Sequence, residues 1–198
     1  MISNFSTIKC FKQAVLLIFT IGCFFTLQSF TIEKEDVKVK DSALTWVGSK
    51  ITGSHEGTIS LKSGYLTLDN NDLVGGEFVI DMTTIVCTDL SGKGKVGIES
   101  HLKSDDFFSV DKFPNANLTI LNVKKKSLGQ YQVNANITIK GMTQEIMFDA
   151  EIKEKTAKAK IVIDRTLFGI IYKSGNFFEE LADKAIYDEF EMSIELKF

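Results

Sequence analysis

Over its last third the chain alternates apolar and polar residues with a period of two. Tyr131, Val133, Ala135, Ile137 and Ile139 alternate with Gln132, Asn134, Asn136, Thr138 and Lys140. Ile146, Phe148, Ala150 and Ile152 alternate with Glu145, Met147, Asp149 and Glu151, and Phe190, Met192, Ile194, Leu196 and Phe198 with Glu191, Ser193, Glu195 and Lys197. Successive side chains on a strand point to opposite faces, so each run predicts a strand with one wet face and one apolar face. Those apolar faces must be buried against one another or around something.

The same reading places a strand at 43–51, with Leu44, Trp46 and Gly48 on one face. It places a hairpin of 58–61 and 65–68 around Lys62-Ser63-Gly64, and a turn at Asp69-Asn70-Asn71-Asp72. A longer strand follows at 76–87, with Phe78, Ile80 and Met82 facing one way. After a break at 88–97, Ile98, His101 and Leu102 share a helical face within 98–108. Strands at 117–123, 130–140, 144–153, 157–164 and 189–198 complete an antiparallel meander. About eight strands can close into an up-and-down barrel, filled by its own side chains or holding a ligand, or can form a sandwich; the pattern leaves that choice open.

The first segment stands apart. Lys9 and Lys12 precede an apolar run at 14–27, and no acidic residue occurs before Glu33. A positive flank, an apolar core and Ser29 predict a secretory signal over 1–29, with an uncleaved anchor as the contrary reading. The run is shorter than the ~20 residues of a spanning helix. The remaining domain, 30–198, carries 21 basic and 26 acidic side chains, a net charge of −5. That balance, without a basic patch, gives no attraction for nucleic acid. Cys10 and Cys23 fall in the leader, so Cys87 has no internal disulfide partner and reads as a small core filler.

Candidate chemistry is sparse. Gly92-Lys93-Gly94-Lys95-Val96-Gly97 matches G-x-G-x-x-G but lies outside any alternating βαβ unit, and reads as a charged loop. Asp105-Asp106, after Ser104, reads as a capped helical turn. Asp164-Arg165 reads as a structural ion pair at a strand end, with an anionic headgroup as the alternative partner of Arg165. The only histidines are His55 and His101. They lack zinc-helix spacing, but a haem or metal site built on them is the alternative enzymatic reading. No nucleophile elbow accompanies Ser100-His101.

Several strings, taken in order, carry a resemblance. They are Leu44-Thr45-Trp46-Val47-Gly48-Ser49-Lys50-Ile51-Thr52-Gly53-Ser54-His55-Glu56-Gly57, Gly75-Gly76-Glu77-Phe78-Val79-Ile80-Asp81-Met82, His101-Leu102-Lys103-Ser104-Asp105-Asp106-Phe107-Phe108, Lys112-Phe113-Pro114, Ile137-Thr138-Ile139-Lys140-Gly141-Met142-Thr143 and Ile163-Asp164-Arg165-Thr166. The set resembles the YceI-like family of secreted bacterial lipid- and polyisoprenoid-binding proteins. The resemblance implies an all-β fold, an eight-stranded antiparallel lipocalin-like barrel with a short helix near one end. It also implies a non-enzymatic, cofactor-free carrier, periplasmic or secreted, with an isoprenoid or other long-chain lipid in an apolar tunnel. Leu167-Phe168 stand where the family often has Trp after Asp-Arg-Thr.

On this reading the expected ligand-facing residues are Trp46, Phe78, Ile80, Val133, Ile137, Phe148, Ile161, Met192 and Ile194, with His55, His101 and Arg165 at a polar mouth. A transient membrane contact and a homodimer are left open. The third reading is a barrel filled by its own side chains, with an adhesion or stress role.

Overall fold

Alternation becomes curvature in the computed structural model, which describes residues 34–178, 181 and 184–198. The expected signal at 1–29 lies outside the described residues. The elements are β1 (Glu35–Lys38), β2 (Asp41–Lys50), β3 (Gly53–Asp69), β4 (Asp72–Cys87), α1 (Gly92–Lys103), β5 (Asn115–Ser127), β6 (Gln130–Ile139), β7 (Met142–Lys153), β8 (Thr156–Asp164), a 3-10 turn (Arg165–Phe168) and β9 (Ile186–Lys197). The strand order β3-β2-β9-β8-β7-β6-β5-β4 closes because β4 also pairs with β3. The result is a closed eight-stranded antiparallel barrel, as the resemblance implied. β1 is the additional strand. It takes the edge of β3 at Tyr65–Leu68, where β2, paired at Gly53–Ile59, has already left it.

β6 shows why the inner face is apolar. Tyr131, Val133, Ala135, Ile137 and Ile139 are all buried, while the polar residues between them are half-buried. The buried faces of the other strands join them in one core that also takes in Leu102, Phe107, Phe108, Phe168 and Ile170. Turns at one end are tight. Asn70 and Asn71 both have positive φ (49° and 67°), the geometry in which a two-residue hairpin follows the strand twist. The opposite end carries α1, residues 104–114, the 3-10 turn and the segment leading to β9. We call these the turn end and the helix end.

Three expectations are corrected. The hairpin around Lys62-Ser63-Gly64 is one continuous 17-residue strand, β3. Its backbone keeps extended pairing with β4 on both sides of these residues and absorbs the irregularity as register shifts near Ser60 and Ser63. The glycine-rich stretch at 92–97 is the start of α1 rather than a loop, and the helix ends at Lys103 rather than Phe108. Tertiary contact overrides weak propensity there. Glu99 on α1 accepts a hydrogen bond from the Cys87 N–H at 2.9 Å, fastening the helix to the end of β4. Ser104 is consequently the C-cap, its hydroxyl donating to the His101 carbonyl at 2.8 Å. Asp105 sits in the turn beyond and pairs with Lys112 at 2.7 Å.

Two joins in the barrel wall are incomplete among the described residues. The β7–β8 ladder covers only Ala150–Lys153 against Thr156–Ala159. Towards the helix end β7 stays paired with β6 as far as Met142, and β8 with β9 as far as Asp164, but not with each other. The 3-10 turn fills that gap. Gln144 Nε2 donates to the Leu167 carbonyl at 3.0 Å, and Phe168 beside it is fully buried. The β4–β5 ladder covers only Glu77–Asp81 against Asn115–Thr119. Its open part lies towards the turn end, where Asp72 binds both Lys125 Nζ (2.6 Å) and the Tyr131 hydroxyl (3.0 Å).

Candidate functional site: an apolar barrel interior

Because eight alternating strands turn the same kind of face inward, the barrel encloses a cavity of about 200 Å³. Side chains from all eight barrel strands line it, among them Leu44, Ile59, Leu73, Leu118, Ala150 and Leu196, with Leu102, Phe107 and Phe108 closing the helix end. The interior is therefore not packed solid. All nine expected apolar residues stand in its wall: Trp46, Phe78, Ile80, Val133, Ile137, Phe148, Ile161, Met192 and Ile194. Val133 and Ile161 are buried, whereas Phe78, Phe148, Met192 and Ile194 are only half-buried.

Glycine makes room for the one tryptophan. Gly57 lies opposite Trp46 in the β2–β3 ladder. A Cβ at Gly57 would overlap the Val86 carbonyl and the indole, so only glycine lets backbone and ring approach so closely. The Trp46 indole N–H is buried with no hydrogen-bond partner. It is an unusual polar point in a nearly uniform apolar wall.

The three polar candidates part company. Arg165 lines the cavity and is 1% exposed. Its Nε donates to the Tyr187 carbonyl (3.1 Å), Nη1 to that of Ile170 (2.7 Å), and Nη2 to Ile186 O (3.0 Å) and Asp188 Oδ1 (3.2 Å). The expected ion pair with Asp164 is replaced by the one with Asp188. Asp164 caps the 3-10 turn by accepting from the Thr166 N–H and hydroxyl. Burial pushes the Arg165 guanidinium below its ordinary pKa, while the charges of Asp188 and then Asp164 oppose that shift. Most of its donors are committed to the fold, and the guanidinium also stands 5.8 Å from the Phe107 ring centre.

His101 packs its ring against Tyr172 (4.3 Å between centroids) and Phe107 (5.7 Å). Burial lowers its pKa from 6.5, and its buried Nε2 has no partner. His55 lies outside the cavity wall and pairs with Asp89 at 2.8 Å. Asp89 also accepts from the Cys87 thiol (3.0 Å) and the Glu56 N–H (3.1 Å), which together hold its carboxyl well below the usual range. Burial, followed by that same contact, pushes the Cys87 thiol up, so the unreactive thiol is the stable form. No group of three or more His, Cys, Asp or Glu residues among the described residues is placed to hold a metal ion. The metal alternative thus finds no ligand cluster around either histidine among the described residues.

Sequence reasoning missed Phe107 and Phe108 as cavity residues, along with the buried plug of Phe168 and Ile170. These follow no period-two run, and their only signal was bulk beside the helix and the Asp-Arg-Thr string.

A closed antiparallel barrel with a hollow, apolar interior defines a lipocalin-like calyx. The chain belongs to the YceI-like domain family, whose model matches residues 30–198. Among solved structures it is similar to Burkholderia cenocepacia BcnA (TM-score 0.61, 16% identity, covering 78% of this chain and 94% of that one). It is also similar to a polyisoprenoid binding domain from Saccharophagus degradans implicated in plant cell wall breakdown (TM-score 0.56, 15% identity, 81% and 95% covered). A third similar structure is the Campylobacter jejuni YceI protein (TM-score 0.53, 17% identity, 100% and 98% covered). Among curated relatives, a UPF0312 protein of Photorhabdus laumondii is 35% identical over 54 residues, which are 27% of this chain and 28% of that protein. The match therefore spans little more than a quarter of that relative. No helix among the described residues is long and apolar enough to cross a membrane.

Proposed function

We propose that this chain is a periplasmic or secreted carrier that shields an isoprenoid or another long-chain amphiphile inside its barrel. The observation that carries the reading is the continuous apolar wall, built from every barrel strand and left with free space at its centre. Removing hydrocarbon from water gains roughly 25 cal/mol per Å². Such a ligand needs shape and few directed polar contacts. Membership of the YceI-like family and the polyisoprenoid-binding neighbour support the same class of ligand. The basic flank and apolar run ahead of Ser29 support export.

Size refines the reading. A dry cavity of ~150 Å³ accepts a benzene-sized molecule, so the roughly 200 Å³ enclosed here holds a ring or a short stretch of chain at once. A longer tail is accommodated by rotation of the half-buried Phe78, Phe148, Phe190 and Met192. Native mass spectrometry of protein from its own host, followed by lipid extraction, tests the proposal. A co-purifying lipid, or uptake of an added prenyl lipid, is the expected result. Empty protein that takes up no prenyl lipid would overturn it. Ala159→Phe, which fills the cavity from one wall, is expected to reduce uptake while the circular dichroism spectrum stays unchanged.

A further inference from the structure

The incomplete β7–β8 join has a second property. Four large apolar side chains stand exposed along it: Met142 (47%) and Met147 (65%) on β7, Val162 (51%) on β8, and Leu167 (52%) in the 3-10 turn. Continuing the register of Ala150 with Ala159 would set Met147 opposite Val162. Directly behind them the inner faces of the same two strands, Phe148 on β7 with Ile161 and Ile163 on β8, line the cavity. Over most of the wall an apolar inside faces a largely polar outside, with single exposed apolar residues such as Leu121 on β5. At the seam Met147 and Val162 put an apolar patch, bordered by Glu145, Asp149 and Lys160, on the outer face as well, and no ladder holds the two strands together.

From this we infer that the β7–β8 seam is a lateral port, and that its apolar outer flank docks on a lipid surface from which the ligand slides into the barrel. The inference rests on the carrier reading above. Continuity with the cavity argues for a hydrocarbon-bearing occupant, because a chain crossing here meets apolar side chains from outside to inside. Charge argues for a neutral or zwitterionic surface. Two of the charged groups around the flank are paired within the protein, Lys160 with Glu191 and Asp149 with Lys126, while Glu145 keeps its negative charge and accepts a hydrogen bond from Asn134, so no positive charge among them is left over to favour an anionic surface. Without a ladder, closure of the port rests on the Gln144–Leu167 hydrogen bond and the packing of the 3-10 turn, and an entering chain would replace part of that apolar packing.

The test uses the full chain and phosphatidylcholine vesicles carrying a fluorescent prenyl lipid. Met147→Ser with Val162→Ser is compared with Leu121→Ser plus Leu128→Ser, which removes exposed apolar residues elsewhere on the surface. The first double variant should acquire lipid from vesicles about tenfold more slowly, yet reach the same loading from detergent micelles; the second should match the wild type. In a second experiment Cys10 and Cys23 are replaced by Ser, Met147→Cys and Val162→Cys are introduced, and a bis-maleimide joins them. Loading from both sources should then stop, while mono-maleimide labelling leaves loading from micelles intact. Equal vesicle rates for the two serine doubles, or normal loading of the stapled barrel, would overturn the port. A wild type that loads from neither source would instead overturn the carrier reading.

Discussion

The two incomplete joins of the barrel are closed in opposite ways. Between β4 and β5, towards the turn end, the closure is polar and specific: one carboxylate, Asp72, gathers a lysine and a buried tyrosine hydroxyl. Between β7 and β8, towards the helix end, the closure is an apolar plug held by shape and one side-chain hydrogen bond. A hydrogen-bonded closure has discrete geometry and resists an apolar intruder. A packed plug can be exchanged for another hydrocarbon at little net cost. The contrast teaches that a barrel can carry a latch and a door without departing from a single strand order.

The largest expected effect is on the helix end. Arg165→Met removes a buried cation and strands the carbonyls of Ile170, Ile186 and Tyr187 together with Asp188. Breaking such a buried network costs about 3–5 kcal/mol, measured as a shift in the urea midpoint. Phe168→Ala empties the plug itself and should cost about 3 kcal/mol. Because the plug closes the seam, the same variant should load lipid from vesicles faster than the wild type, which would sharpen the comparison; slower loading would break it. At the polar join Tyr131→Phe should cost only about 1 kcal/mol and leave loading rates alone.

The smallest effect separates the ends by pH. His101 is held neutral by burial, with its pKa below 6.5. As pH falls below 6.5 the unfolded chain binds a proton that the folded chain resists, so stability declines there. Asp72 has its carboxyl pKa depressed below 3.8 by Lys125 and then Tyr131. Its contribution is complete above pH 3.8 and is lost only as pH falls through the lower, folded value. Hydrogen exchange on acidification should therefore quicken first around His101, Tyr172 and Phe107, and only later around β4 and β5. His101→Phe should remove the first step.

Side-chain alternation made the strands from β5 onward legible, together with nine cavity residues, because period two reports the face on which a residue lies. It does not report neighbours. Nothing in Met142–Asp149 or Lys160–Asp164 announces that these stretches fail to pair, since each is a well-formed strand with a good partner on its other side. Lys62-Ser63-Gly64 has turn-like composition, yet the chain runs straight through because β4 and β1 flank the residues that follow. β1 itself is four residues long and mostly charged, too brief for any periodicity to register. The start of α1 was hidden by three glycines whose weak propensity is outweighed by the tie from Glu99 to Cys87. Arg165 was visible, but its true counterion lies 23 residues away across a connection that no local pattern describes.

β1 has a consequence for how the molecule can be mounted. It joins β3 beside Leu68, close to the Asn70-Asn71 turn, with Glu35 nearest that turn. Any leash attached ahead of residue 34 thus departs from the pole opposite Arg165. A barrel tied down by that pole would keep its far rim free to swing.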